Sequence, residues 1–206
     1  MAHRLWQYVG QGWDRGSCMN TTLILKLDVS GLPISFVGWH TAARLLTSEK
    51  VIWSMGDTAI TLRGGTNRDG ERSMLHLPAI ISVSDRSNIW NQENPRRAYR
   101  RVIFQRDEGL CMYCGTSVPF RHFQMDHIIP KSRGGPDTYQ NLCCSCGVCN
   151  DRKKNRTPDE AGMKLLAVPY VPNPAARLIL SGRAIIADQM DYLKGYANLR
   201  KTRREV

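Results

Sequence analysis

No run of this chain approaches the roughly 20 consecutive apolar residues that a membrane-spanning helix needs, and its first residues lack the apolar stretch of an export signal. A soluble, cytoplasmic protein is expected. Aromatic residues are sparse at 8%, and acidic ones are outnumbered, with Asp+Glu 18 against Lys+Arg 29. The resulting net charge of +11 favours a polyanionic partner, nucleic acid or an anionic membrane surface. The 17 glycines and 10 prolines follow no collagen period, and 42% hydrophobic residues is too apolar for a disordered chain. At 206 residues the length allows one mid-sized domain or two small ones.

Both cysteine and charge are scarce in the first half. Only Cys18 lies there; Cys111, Cys114, Cys143, Cys144, Cys146 and Cys149 fall within 39 positions of the second half. Seven is odd, and without an export signal a disulfide framework is not expected, so the paired C-x-x-C spacing points to metal. Residues 1–94 carry 9 basic and 8 acidic side chains, a net of +1, which leaves the remaining ten charges on residues 95–206. The polyanion is expected to meet that half.

Along the chain, residues 1–20 have no periodicity and read as an arm. Thr21–Val29 predicts a strand ended by a turn at Ser30–Pro33, Trp39–Thr47 a helix, Val51–Trp53 a strand, and Met74–Val83 an extended run whose Pro78 favours a sheet edge. Residues 1–94 are thus expected to form a small mixed α/β unit, in which His40 and His76 are ordinary packing or surface residues. Asn94 as N-cap and Pro95 at the first helical position open a helix over Pro95–Asp107. Its Tyr99, Val102, Ile103 and Arg106 share one side, and Arg96, Arg97, Arg100 and Arg101 form a cationic stripe suited to phosphate. Residues 95–160 make the second unit. In residues 161–206 a proline-punctuated linker precedes a helix over Ala175–Arg200 and a basic tail, Lys201–Arg204.

Cys111-Met-Tyr-Cys114-Gly and Cys146-Gly-Val-Cys149-Asn are two knuckles separated by 31 residues. Two residues between thiolates let both sulfurs reach one ion at about 2.3 Å, so two knuckles predict a tetrahedral four-sulfur zinc site. Cys143 also makes a C-x-x-C with Cys146; the 146/149 pair is preferred because Gly147 suits a knuckle turn and Asn150 begins a helix-like run. Between the knuckles lies Met125-Asp126-His127-Ile128-Ile129-Pro130-Lys131-Ser132-Arg133-Gly134-Gly135, and then Asn141-Leu142. On a strand Asp126 and His127 point to opposite faces, yet at a strand end both can serve one site. A carboxylate for a hard divalent ion and an imidazole to deprotonate water, near a cationic surface, are the parts of metal-assisted phosphodiester hydrolysis. His122 is expected to be a surface residue.

The order of these parts resembles the HNH endonuclease family, in its zinc-clamped ββα-metal branch. The resemblance runs from about Arg97 to Lys154 and includes Arg106-Asp107, both knuckles, the Asp126-to-Gly135 run, Asn141-Leu142 and Lys153. More loosely, residues 21–106 look like an extra N-terminal region of many family members from bacteria and phages. The fold class implied is α+β: a ββα-metal HNH core with a four-Cys zinc site, preceded by a small α/β unit and followed by a C-terminal helical extension. By position, the resemblance implies that Asp126 and Asn150 hold the catalytic Mg²⁺ or Mn²⁺, that His127 is the general base, and that Asn141 orients His127. Asn150 stands where many members have His. Lys131, Arg133, Lys153 and Lys154 join the arginine stripe as DNA contacts, Lys154 sharing a helical face with Asn150. A neutral imidazole can accept a proton from water, and a partner on its other nitrogen fixes the tautomer.

The leading expectation is therefore a metal-dependent endonuclease acting on double-stranded DNA. The alternative is a non-catalytic zinc module that binds nucleic acid through the same arginines, with no use for the Asp-His pair; a third reading, protein assembly, leaves the charge unexplained. Homing, phage and restriction roles leave no separate signature in the sequence, and neither does oligomeric state.

Overall fold

The computed structural model describes residues 22–91, 98–181 and 183–199. The expected N-terminal arm with Cys18, the Asn94-Pro95 helix start with Arg96 and Arg97, and the Lys201–Arg204 tail lie outside the described residues.

The first strand, β1 (Ile24–Leu27), is short and apolar, and Ile24, Leu25 and Leu27 are fully buried. Burying an aliphatic side chain contributes about 1.5–3 kcal/mol, and a strand buried on both faces belongs inside a sheet. The chain then turns around the Asp28 carboxylate, which accepts hydrogen bonds from Ser30 N and Leu32 N, both at 2.9 Å. Beyond the turn the sequence reading missed a strand, β2 (Pro33–Val37), which pairs antiparallel with β1. Pro33 is tolerated as the first residue of an edge strand. Helix α1 (Trp39–Thr47) has the expected bounds. The strand expected at Val51–Trp53 is β3 (Val51–Thr66), hidden by the polar, glycine-containing stretch after Trp53.

β4 (Arg72–Val83) corrects the expectation for Pro78: the sheet order is β2-β1-β4-β3, so β4 is central. The proline is accommodated because β1 pairs only with residues from Ile80 to Ser82, and opposite Pro78 the β3 ladder is irregular on both sides of Thr58. His76 is exposed, its Nδ1 3.1 Å from Thr61 Oγ1, and exposed His40 stacks on Trp39.

Helix α2 (Arg100–Arg106) is shorter than expected, because Tyr99 precedes it in extended form and Ala98 is not helical. Val102, Ile103 and Arg106 are buried; Tyr99, placed on the same side by the sequence, sits at the N-cap and is 62% exposed. β5 (Gln124–His127) and β6 (Leu142–Ser145) form an antiparallel ribbon, and α3 (Gly147–Lys153) follows and packs on β5.

The C-terminal segment is not one helix. Its periodicity is divided between α4 (Pro174–Leu180), capped by the Asn173 side chain on Ala176 N at 2.9 Å, and α5 (Ala187–Tyr196). These helices are more than an extension. Ala175 and Leu193 share a core cluster with Leu25, Leu27, Phe36, Ala79 and Ile80 on one sheet face, while α1 covers the other through Ala42, Ile24, Leu77 and Ile81. Buried Gln189 of α5 donates to Leu23 O and Ala79 O at 2.7 and 2.9 Å, fixing the helix to β4 and to the residue that leads into β1. Among the described residues no helix is long and apolar enough to cross a membrane.

Candidate active site

The site is assembled on the β5–β6 ribbon. Arg106, 3% exposed, grips Asp107 through two contacts of 2.8 and 3.1 Å and donates to Leu142 O at 2.7 Å; Asp107 in turn accepts Cys144 N at 2.7 Å. Adjacent residues of opposite charge thereby tie the end of α2 to β6 and satisfy each other's buried charge.

The first knuckle turns at Gly115 (φ +73°), whose N–H reaches Cys111 O at 2.8 Å. The second starts α3, where Cys146 is the N-cap and its sulfur accepts Cys149 N at 3.4 Å. The sulfurs of Cys111, Cys114, Cys146 and Cys149 lie within 4.8 Å of one another, and Cys114 and Cys146 are 3.9 Å apart. Thiolates at the corners of a tetrahedron with Zn–S of about 2.3 Å are about 3.8 Å apart, so this cluster could hold zinc. Burial raises the Cys114 thiol, but hydrogen bonding with Thr116 and the neighbouring cysteines outweighs it and holds the group at about 6, whereas burial pushes the Cys146 and Cys149 thiols up, so a bound cation would be what keeps all four sulfurs as thiolates. Cys143 and Cys144 lie outside the cluster. They are buried on β6, where burial pushes both thiols up, Cys144 to about 12.

Asp126 and His127, side by side at the end of β5, line one open cleft of about 320 Å³ with Lys131, Asn150, Lys153 and Lys154. Asp126 is 7% exposed; Tyr113 donates to its Oδ2 at 2.5 Å, and Lys153 Nζ is 3.2 Å from each of its oxygens. Burial, followed by the nearby Cys143 and Asp126, pushes the Tyr113 hydroxyl well above the usual phenol range, so it stays a donor. Asn150 donates its amide N–H to Gln124 Oε1, leaving the amide oxygen available as a ligand.

Several residues occupy places different from those expected. Asn150 is in the middle of α3, and Lys154 ends that helix with φ +51°, although both line the cleft. Lys153, expected on DNA, is 1% exposed and donates to His127 O at 2.7 Å as well as pairing with Asp126. Its ammonium is therefore taken up by oxygens of the protein itself. Arg133 is held by both oxygens of Glu160 at 2.7 Å, and Lys131 by Asp137 at 3.0 Å. Arg100 donates to Phe123 O and lies 3.9 Å over the Phe123 ring, and exposed Arg101 lies 5.5 Å from the centre of Phe120. Exposed His122 is a surface residue.

Asn141 does not bond the His127 ring. Its amide closes the intervening loop: Oδ1 accepts Ile129 N at 2.9 Å and Nδ2 donates to Ile129 O and Pro136 O at 3.0 and 3.1 Å. The ring's partner is Asp137, whose Oδ1 is 2.6 Å from His127 Nε2. Tyr113, Gln124 and Asp137 were all missed in the sequence. Only Asp137 carried any signal, as a lone carboxylate beside the Gly-Gly turn.

A family model described as HNH endonuclease matches residues 111–166, which contain both knuckles and the Asp126–His127 cleft. The chain is 26% identical over 128 residues, 56% of its own length, to the CRISPR-associated endonuclease Cas9 of Corynebacterium diphtheriae. It is 36% identical over 62 residues, 30% of its length, to the protein of the same name from Actinomyces naeslundii. A third similarity, 35% over 54 residues and 23% of the chain, is to the type IV methyl-directed restriction enzyme EcoKMcrA of Escherichia coli. The matched stretches span only 12%, 6% and 20% of those three proteins. Over residues 111–166, then, this chain is similar to HNH endonuclease domains.

Proposed function

We propose that this protein is a divalent-metal-dependent endonuclease that hydrolyses phosphodiester bonds of double-stranded DNA, with a structural zinc on Cys111, Cys114, Cys146 and Cys149. The observation that carries the reading is the convergence of Asp126, His127 and Asn150 on one cleft beside the cysteine cluster. In this reading β5, β6 and α3 are the ββα-metal core.

The donor set fits a hard ion. Asp126 has three contacts, from two partners, against roughly four lone-pair sites, and the Asn150 oxygen completes a carboxylate-plus-amide pair of the kind Mg²⁺ or Mn²⁺ accepts. When bound there, the ion supplies charge neutralisation at the phosphate and the leaving O3′. His127 takes a proton from the attacking water. Lys153 and Tyr113 fix Asp126, and Asn141 fixes the loop that shapes the cleft's rim. The products are 5′-phosphate and 3′-hydroxyl ends. Because Lys153 already offsets the Asp126 charge, metal affinity is expected to depend on the substrate's own phosphate.

Incubation with supercoiled plasmid and Mg²⁺ or Mn²⁺ tests this: nicked or linear DNA with ligatable 5′-phosphates is expected, and EDTA is expected to stop its formation. The non-catalytic zinc module predicts binding with no cleavage. Mapping the cut sites separates homing or restriction specificity from the scattered nicking of a general phage or host-DNA nuclease.

For binding, exposed Arg101 and Lys154 are assigned to phosphate contact, together with Arg96 and Arg97 from the sequence stripe. Each phosphate contact adds about 0.9 to the slope of log K against log salt. Arg101→Ala with Lys154→Ala is therefore expected to flatten that slope by about 2, measured in EDTA; an unchanged slope removes both from the interface.

A further inference from the structure

We infer that Asp137 is a positioning residue for the reaction: it holds His127 as the Nε2–H tautomer and leaves the Nδ1 lone pair to act as base. The inference rests on the reading of His127 as the general base.

The contact is short, with 2.6 Å between His127 Nε2 and Asp137 Oδ1. An ionised carboxylate accepts hydrogen bonds only, so the ring nitrogen facing it must carry the proton. In a neutral ring the other nitrogen is then the acceptor. Asp137 is kept ionised by its surroundings: its hydrogen bond to His127, and then that from Lys131 at 3.0 Å, hold the carboxyl below its usual range.

The loop is built to present this carboxylate. His127 lies at the end of β5, opposite Leu142 of β6, with its carbonyl taken by Lys153, so its backbone is fixed. From Ile129 the chain leaves the ribbon and returns to Asn141, whose amide holds Ile129 O and Pro136 O together. Gly135 makes the close approach possible, since a Cβ there would fall 1.8 Å from Ile129 O. Pro136 is thereby anchored one residue before Asp137. Asn141 acts on the loop, and Asp137 acts on the ring.

In the step this arrangement serves, a water O–H bond breaks and its proton passes to Nδ1. The oxygen's electron pair forms a bond to phosphorus; the P–O3′ bond breaks, and O3′ retains its pair and takes a proton from solvent. The imidazolium so formed keeps its Nε2–H against the Asp137 carboxylate, which stabilises the new positive charge, and later returns its Nδ1 proton to solvent. A carboxylate orienting a histidine base commonly supports its rate by several orders of magnitude, mostly through the tautomer.

The test combines long-range ¹H–¹⁵N correlation spectra of labelled full-length protein with steady-state cleavage of a DNA duplex. The chain has 5 histidines, and the His127 signals are those lost in His127→Ala. The wild type is expected to show a protonated Nε2 and an unprotonated Nδ1. Asp137→Asn is expected to abolish that preference and lower kcat by about 10²–10⁴-fold with little change in KM. Asp137→Glu is expected to recover most of both.

A protonated Nδ1 in the wild type overturns the inference, as does Asp137→Asn with wild-type kcat. A loss of kcat with an unchanged tautomer overturns it in favour of a purely structural loop role. If the wild type cuts no DNA yet shows the Nε2–H form, and Asp137→Asn removes it, the nuclease reading fails while the assignment of Asp137 to His127 stands.

Discussion

Cys146→Ser is expected to give a chain whose residues 107–166 do not fold and which binds less than one zinc per molecule. The expectation follows from what the four sulfurs join. Cys111 and Cys114 follow the turn after α2, and Cys146 and Cys149 start α3, so the cluster closes a loop containing the whole ribbon and the Asp126–His127 cleft. That region's own apolar cluster is small, built on Met112, Tyr113, Val118, Phe123, Ala161 and Met163 with the cysteines themselves. Structural zinc in small domains supplies about 10–16 kcal/mol of apparent binding energy, against about 5–15 kcal/mol for the net stability of a typical domain. Removing one thiolate from such a site removes more than the region can lose. Zinc analysis, near-ultraviolet circular dichroism and a chelator titration check this. Cys144→Ala supplies the contrast: it lowers stability by leaving a small cavity but is expected to keep one zinc per chain, since Cys144 lies outside the cluster. Full zinc occupancy in Cys146→Ser would contradict the assignment.

Lys153→Met is expected to destabilise the protein by about 3–5 kcal/mol, the usual cost of leaving one member of a buried ion pair without its partner. Lys153 is 1% exposed, and its ammonium contacts both oxygens of Asp126 and the carbonyl of His127. Methionine preserves the length and loses the charge, so Asp126 is left buried with Tyr113 as its remaining donor. Adding Asp126→Asn removes the orphaned carboxylate, and the double variant is expected to be more stable than Lys153→Met alone. Denaturant unfolding of the wild type, both single variants and the double gives the coupling directly. Additive losses would mean that the two side chains do not interact. A lysine on the surface, as the sequence alone placed it, would give almost no loss in Lys153→Met.

That difference shows where the sequence was legible and where it was not. The knuckles could be read because metal geometry constrains neighbours along the chain: two residues between thiolates is a local rule, and the four cysteines it selects converge. Helix α1 was equally legible, since its apolar residues repeat at helical spacing within a single turn-bounded segment. Lys153 was not. A lysine in a basic run carries no local mark of burial; only the packing of α3 against β5 places it beneath Asp126. Asp137 was missed for a related reason, because its distance to His127 is set by the course of the loop between β5 and β6 rather than by spacing on an element. Pro78 misled by a rule that holds for regular ladders, whereas the β3–β4 ladder is irregular where the proline sits. Helices α4 and α5 were visible as periodicity, but their destination, the sheet face lined by Leu25, Leu27 and Ile80, is a tertiary fact that no spacing in residues 161–206 encodes.

The central claim is that the cleft at Asp126, His127 and Asn150 hydrolyses DNA. Its most direct measurement compares wild type with His127→Ala on supercoiled plasmid in Mg²⁺ or Mn²⁺, at protein concentrations where both are shown to bind. His127 is half-buried on the strand end with its backbone held by Lys153, so truncating its ring is expected to leave the fold and zinc content intact. The account predicts metal-dependent nicking by the wild type and a loss of at least about 10²-fold in His127→Ala, the scale of general-base catalysis. A wild type that binds the plasmid and leaves it supercoiled, or a His127→Ala protein that cuts at the wild-type rate, would contradict it.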